Sequence, residues 1–125
     1  MHNPTAQCVL CTPQDVVLEH ELAYVRHDDS ALSPGHLIVV PKRHVASFFD
    51  MTAAEKLAVS ELLDEAKQFI ETKHQPDGYN IGTNIGEAGG QSRTHVPVHL
   101  TPRYRSDHPS PHDGVRGVLS GTCKA

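Results

Sequence analysis

One long amphipathic segment constrains the fold of this chain more than any other feature. In "TAAEKLAVSELLDEAKQFIETK", apolar side chains recur at the spacing of one helix face. They are Val59, Leu62, Leu63, Ala66, Phe69 and Ile70. Thr52 and Glu55 form a capping box before this run, Lys73 and His74 suit its C-terminal end, and "PDG" from Pro76 stops it. The sequence therefore predicts a helix of about five turns whose apolar face packs on a second layer of secondary structure.

Short apolar stretches on both sides of the helix predict that second layer. "VVLEHELAYVR", residues 16–26, alternates and is rich in β-branched side chains, which indicates a hairpin turning near His20 and Glu21. "HLIVVP", residues 36–41, is a continuous apolar run that predicts a strand covered on both faces. "YNIG", from Tyr79, and "THVPVHLTPRY", residues 94–104, predict further strands. This order favours an α+β domain with a mainly antiparallel sheet.

Length, charge and hydropathy limit the possible classes of protein. A chain of 125 residues is the size of one compact domain, so we predict a single domain over residues 1–125, with 105–125 as an irregular tail. No apolar run approaches the roughly 20 residues that span a bilayer, and "MHNPTAQCVLC" lacks the order of a secretory signal. We therefore expect a cytoplasmic protein without a membrane partner. The net charge of −4 and the lack of a basic stripe argue against duplex nucleic acid, whereas a small anionic ligand remains compatible.

Two cysteines near the start have the spacing of a metal-binding pair. Cys8 and Cys11 could supply two soft ligands, and His44 and His95 are the best candidates for the other two ligands of a tetrahedral zinc site. On spacing alone, a chance pair of cysteines explains the pattern equally well. A thioredoxin-like redox pair fits less well, because turn-prone "TPQD" follows the second cysteine. Cys123 is interpreted as a free thiol in the tail.

A glycine-rich stretch precedes the last predicted strand. "GEAGGQSR", residues 86–93, could present backbone N–H groups, the Gln91 amide and the Ser92 hydroxyl to a phosphate, helped by His99 and Arg93. On loop composition alone, a flexible hairpin between two strands is the better explanation.

The strand after this loop combines imidazoles with a proline. Alternate side chains of an extended chain share a face. One face would carry His95, Pro97, His99 and Thr101, and the other Val96, Val98 and Leu100. Because Pro97 has no N–H to donate, we expect either that this position faces no ladder partner or that the strand bulges there.

Four segments in this order resemble the histidine triad (HIT) superfamily of nucleotide hydrolases and transferases. They are "CVLC", "SPGHLIVVPKRHVASFFDMT", "GYNIGTNIGEAGGQS" and "HVPVHLTPRY", and the resemblance runs from about Cys8 to Tyr104. It implies the HIT-like fold, an antiparallel sheet of about five strands with one long helix and a short helix, and a homodimer. It also implies structural zinc held by Cys8, Cys11, His44 and His95, which makes residues 1–15 a zinc-binding segment.

The resemblance also implies where chemistry would occur. In that superfamily the central histidine of the triad attacks the α-phosphate and forms a nucleotidyl-histidine intermediate. Pro97 occupies this position, and its ring nitrogen lies in a tertiary amide that cannot bond phosphorus. The remaining catalytic candidates are His99, which would contact the phosphate, and His36, which matches the histidine that orients the nucleophile. The implied substrate-binding residues are Asn84, Gln91, Ser92 and His99.

Three functions stay open at this point. The preferred one is a nucleotide- or phosphate-binding protein in which covalent histidine catalysis is lost or altered. The second is an active hydrolase or transferase that uses His99 or an activated water; two residues of strand span about 6.6 Å, so His99 would need another substrate register. The third is a repurposed enzyme acting on a different small polar substrate, with His36, His99 or Asn84 in acid–base or orienting roles.

Overall fold

A five-stranded antiparallel sheet with a long helix on one face forms the fold. The computed structural model describes residues 8–112, 114 and 115. The strands are β1 (Val16–Glu19), β2 (Ala23–His27), β3 (Leu37–Pro41), β4 (Gly78–Gly82) and β5 (Val98–Arg103). The long helix is α1 (Ala53–Glu71), and single helical turns lie at Phe48–Asp50 and Glu87–Gly89. The strand order is β1-β2-β3-β5-β4. All neighbouring pairs are antiparallel, which confirms the predicted α+β class.

The first three strands follow the sequence pattern closely. β1 and β2 form the predicted hairpin, which turns where the His20 N–H donates to the Ala23 carbonyl at 2.8 Å. Every residue of β3 is buried. Its neighbours explain this, because α1 packs on one face of the sheet, while Leu10, Tyr24, Ile38 and Val40 form a second apolar cluster on the other.

Helix α1 begins and ends as its capping signals predict, within two residues. The Thr52 hydroxyl accepts the Glu55 N–H at 3.1 Å, and the Glu55 carboxylate accepts the Thr52 N–H at 2.8 Å. The helix ends at Glu71, before Lys73. Its buried face packs on the sheet through Ala58, Val59, Leu62, Ala66 and Ile70. Leu63 and Phe69 are only partly buried.

The last strand is shorter than predicted. β5 begins at Val98, so residues 94–97 are not part of it. The Val96 N–H instead donates to the Val45 carbonyl at 2.9 Å, which ties this segment to the loop after β3. Pro97 precedes the strand, and therefore its missing N–H removes no ladder bond within β5. The predicted alternation holds from Val98 onward, but the expectation that His95 shares a strand face with His99 is wrong.

The N-terminal segment covers the sheet face opposite α1. Leu10 is buried there, and the Tyr24 hydroxyl donates to its carbonyl at 2.6 Å. This contact places Cys8 and Cys11 beside the start of the loop that follows β3. Within the described residues, no helix combines the length and apolar character needed to cross a bilayer. Most of the predicted tail, residues 116–125 with Cys123, lies outside the described part of the chain.

Candidate functional site

Four side chains distant in the sequence meet at one end of the sheet. The side chains of Cys8, Cys11, His44 and His95 place their potential ligand atoms within 4.8 Å of one another. His44 Nδ1 lies 2.9 Å from Cys11 Sγ, and His95 Nδ1 lies 3.4 Å from both sulfur atoms. The two rings meet edge to face, with centroids 4.9 Å apart. The structure thus brings together the four residues predicted to bind zinc.

The geometry and hydrogen bonding of this cluster fit a tetrahedral metal ion. Typical Zn–S and Zn–N lengths give a sulfur–nitrogen edge of about 3.6 Å in a tetrahedron, close to the two 3.4 Å separations. His95 Nε2 lies 2.6 Å from the Pro41 carbonyl and donates to it, so the Nδ1 lone pair points at the thiols. Burial, followed by the neighbouring Cys8, raises the pKa of Cys11 to about 11, so a bound cation would have to displace its proton. These residues could hold a metal ion.

A small cavity lies between the glycine-rich loop and the start of β5. Its volume is about 160 Å³. The four predicted substrate-binding residues Asn84, Gln91, Ser92 and His99 all line it, together with Pro97, Asp28, Ser30, Gly90 and Arg93. Larger cavities of about 530 and 640 Å³ lie near Asn80 and Arg103, but none of the predicted site residues lines them. We take the smaller cavity as the candidate site because the chemistry-bearing side chains converge there.

The shape of the glycine-rich loop depends on Gln91. Its Oε1 accepts the Gly86 N–H at 2.8 Å, and its Nε2 donates to the Arg93 carbonyl at 2.6 Å and to the Ala46 carbonyl. Because backbone groups already engage both ends of this amide, Gln91 braces the loop. Direct contact between Gln91 and a ligand stays a prediction. Gly90 permits the turn, since its φ of +92° is unfavourable for other residues.

Two histidines meet at the wall of the cavity. His36, which is 1% exposed, places Nε2 at 3.0 Å from His99 Nδ1. The Leu32 N–H donates to His36 Nδ1 at 3.0 Å, which fixes the buried ring from its other side. Burial is the main cause that lowers the pKa of each histidine, and the nearby Asp28 carboxylate opposes this shift. Burial therefore favours the neutral form of both rings.

The structure adds site residues that sequence reasoning missed. Asp28 and Ser30, which lie in the connector between β2 and β3, also line the cavity. The Asp28 side chain is 13% exposed, and its carboxylate lies 3.9 Å from His36 Nε2. The sequence feature that could have indicated this is an acidic residue directly after a strand. The sequence alone does not show that this connector lies beside β5 in the folded chain.

With this geometry established, comparison with known proteins identifies the family. The family model described as "HIT domain" matches residues 10–106, more than half of the chain. An AP-4-A phosphorylase of Mycobacterium tuberculosis is 36% identical over 93 residues, which are 74% of this chain and 48% of that protein. The present chain thus spans about half the length of this relative. The protein belongs to the HIT domain family.

Solved structures agree with this assignment. A HIT family protein from Bacillus anthracis superimposes with a TM-score of 0.74 and 28% identity, covering 80% of this chain and 75% of that one. A histidine triad family protein from Mycobacterium smegmatis, described as Zn-bound, has a TM-score of 0.73 and covers 90% of both chains. Its 23% identity shows a shared fold. The predicted HIT-like architecture is confirmed.

Proposed function

We propose that this protein binds a nucleotide or related phosphate ester in the cavity beside Pro97 and does not form a nucleotidyl-histidine intermediate. One observation carries the proposal. Side chains from the glycine-rich loop, from the segment after β4 and from β5 converge on one cavity, and the residue at the expected nucleophile position, Pro97, lies in its wall.

The size and chemistry of the cavity suit a phosphoryl group. Sites that enclose a drug-sized ligand usually measure about 300–1,000 Å³, so about 160 Å³ fits the phosphate while the rest of the ligand extends outward. Arg93 supplies a positive charge at this wall, and the exposed Ser92 hydroxyl supplies a hydrogen-bond donor. Gly90 of the loop, whose φ is +92°, lines the same space.

Loss of the covalent route follows from the chemistry of proline. Covalent catalysis requires an atom that bonds phosphorus and later leaves, and Pro97 offers none. Removing a catalytic nucleophile can cost on the order of 10⁶ in turnover, while binding groups retain their own contribution. Recognition can therefore persist without appreciable turnover.

The cysteine–histidine cluster is assigned structural zinc in this proposal. Two thiols and two imidazoles form a ligand set typical of closed structural zinc sites. The ion would tie the N-terminal segment to the loop after β3 and to the segment before β5. A cytoplasmic location and a homodimer remain predictions from the sequence and the family resemblance.

Calorimetry and one substitution test the proposed function. We expect the unmodified protein to bind AMP without turning over adenosine 5′-phosphoramidate. Pro97→His should create hydrolysis and a protein-bound adenylyl group detectable by intact mass, whereas the matched control Pro97→Ala should create neither. A histidine adduct on the unmodified protein, or no binding of any nucleoside monophosphate, would contradict the proposal.

A further inference from the structure

A second cavity follows the candidate site along β5. The candidate site is lined by His99, and the neighbouring cavity of about 640 Å³ is lined by Thr101 and Arg103 of the same strand. Alternate residues of a strand share a face and lie about 6.6 Å apart, so these three side chains form one row about 13 Å long. The two cavities therefore succeed one another on a single face of β5.

The connector between β2 and β3 forms a wall of both cavities. Asp28 and Ser30 line the candidate site, and the next part of the connector, Leu32, Ser33 and Pro34, lines the second cavity. The connector thus runs in the same direction as β5 across the two spaces. A ligand that occupies both would contact one continuous wall.

Hydrogen bonds hold this wall beside β5. Ser33 Oγ donates to the Pro102 carbonyl at 2.7 Å, and the Tyr104 hydroxyl donates to the Pro34 carbonyl at 2.7 Å. Pro102 lies in β5, and Tyr104 directly follows the strand. Because the connector is already tied down at these points, binding along it requires little ordering of the chain.

The charged groups of the second cavity are paired with each other. Asp107 accepts two hydrogen bonds from Arg103, at 2.8 and 2.9 Å, and Arg103 also donates to Asn80 Oδ1 at 2.7 Å. The bonds from Arg103 are the main cause that lowers the pKa of Asp107 to about 2, so the pair is electrically balanced at neutral pH. At the candidate site, Arg93 lies 3.8 Å from the carboxylate of Asp29. A phosphate is therefore favoured beside Arg93 and an uncharged group beside Arg103.

Apolar side chains supply much of the remaining surface. Leu32 is 82% exposed, and it lines the second cavity together with the exposed Pro34 and the half-buried Tyr104. A planar aromatic group can cover these surfaces, and the Thr101 hydroxyl can form a hydrogen bond with a polar atom at its edge. The volume of about 640 Å³ falls within the range usual for organic ligands.

We propose that the second cavity is a subsite for an uncharged aromatic group attached to the phosphate. The ligand lies along β5, with its phosphoryl group in the candidate site and its aromatic group in contact with Leu32 and Thr101. A nucleobase and a simple aryl ester share this chemistry. The inference rests on the proposed phosphate-ester site and adds the direction and the chemical class of the attached group.

Two pairs of ligands test the subsite by titration of the ¹⁵N-labelled protein in NMR. Phenyl phosphate against methyl phosphate isolates an aryl ring, and AMP against ribose 5-phosphate isolates a nucleobase. We expect the aromatic member of at least one pair to bind about tenfold more tightly, and to shift the Leu32 and Thr101 amide signals where its partner does not. A preference in the first pair alone assigns the subsite to aryl esters, and a preference in the second assigns it to nucleotides. No preference in either pair would overturn the inference.

Two substitutions show whether the preference arises in this cavity. Leu32→Gln removes an apolar contact at an exposed position, where the fold should tolerate the change, and Thr101→Phe fills the cavity. Each should reduce the aromatic preference to about twofold and leave methyl phosphate affinity unchanged. Leu57→Gln, at a 60% exposed position of α1, is the matched control and should keep the full preference. A preference that survives both Leu32→Gln and Thr101→Phe would contradict the subsite.

The outcomes distinguish the subsite from the proposed function. If methyl phosphate, ribose 5-phosphate and AMP bind with equal affinity, the subsite fails and the binding function stands. If no phosphate ester binds the unmodified protein, the proposed function fails, and the subsite fails with it.

Discussion

Replacing Glu55 with Gln should lower the free energy of unfolding, because it weakens the contact between helix α1 and the loop that carries His44. The Glu55 carboxylate accepts two hydrogen bonds from Arg43, at 2.8 and 2.9 Å, and Arg43 directly precedes His44. These bonds are the main cause that lowers the pKa of Glu55 to about 2. Gln can retain the oxygen that accepts the Thr52 N–H, but its NH2 group replaces the oxygen that accepts Arg43 Nε–H, so the variant removes the charge and one acceptor.

The size of the effect follows from the shift in pKa. A fall from 4.5 to about 2 corresponds to about 3 kcal/mol between the two protonation states. Because the Arg43 side chain is 53% exposed, solvent screens the pair, and we expect Glu55→Gln to lower the free energy of unfolding by about 1–2 kcal/mol at pH 7. The folded pKa is depressed, so this stabilisation is present above pH 4.5 and is lost as the pH falls towards 2.

Urea unfolding monitored by circular dichroism measures this difference. Glu19→Gln is the matched control, because Glu19 pairs with Lys42 at 2.6 Å but is 56% exposed, and its loss should stay below about 0.5 kcal/mol. The difference between the unmodified protein and Glu55→Gln should shrink as the pH is lowered from 5 towards 2. Equal losses for the two variants at pH 7, or a Glu55 effect independent of pH, would refute the reasoning.

Three further predictions concern the metal cluster, a turn and the loop brace. A chelator should lower the melting temperature of the unmodified protein and leave Cys11→Ser unaffected; a chelator-insensitive protein with no bound zinc by elemental analysis would rule out the zinc assignment. Gly35→Ala should cost more than about 1 kcal/mol, because φ is +90° and a Cβ would approach a neighbouring side chain to 3.1 Å. Gly78→Ala, where a Cβ meets nothing within 4 Å, is the comparison, and equal unfolding midpoints for the two would contradict this view. Gln91→Ala should increase hydrogen exchange at the Gly86 amide and weaken AMP binding about tenfold, and unchanged exchange would remove the bracing role.

Elements specified by neighbouring residues could be predicted from the sequence. The capping box at Thr52 and the apolar spacing of α1 are local signals, and the helix begins where they place it. The start of β5 could not be predicted, because it depends on the hydrogen bond between Val96 and Val45, which are far apart along the chain. An alternating pattern does not show where such a contact ends the strand.

The parts of the candidate site that could be predicted are those whose residues lie close together in the sequence. The spacing of Cys8 and Cys11 indicates a metal-binding pair, and His44 and His95 were the best candidates for the other two ligands before the family resemblance pointed to the same residues. Asp28 was missed because its connector reaches the cavity only after the chain has folded. The contact between His36 and His99 spans 63 positions and follows from strand pairing, since Ile38 lies opposite His99.

The Gln91 amide joins two places that have been described separately. It holds the Gly86 turn beside the cavity, and it also reaches Ala46, two residues after His44 in the metal-ligand loop. We expect a shared contact of this kind to link the occupancy of the two proposed sites. Thermodynamic linkage then requires reciprocity: by whatever factor zinc changes the affinity for the phosphate ester, the ester changes the affinity for zinc.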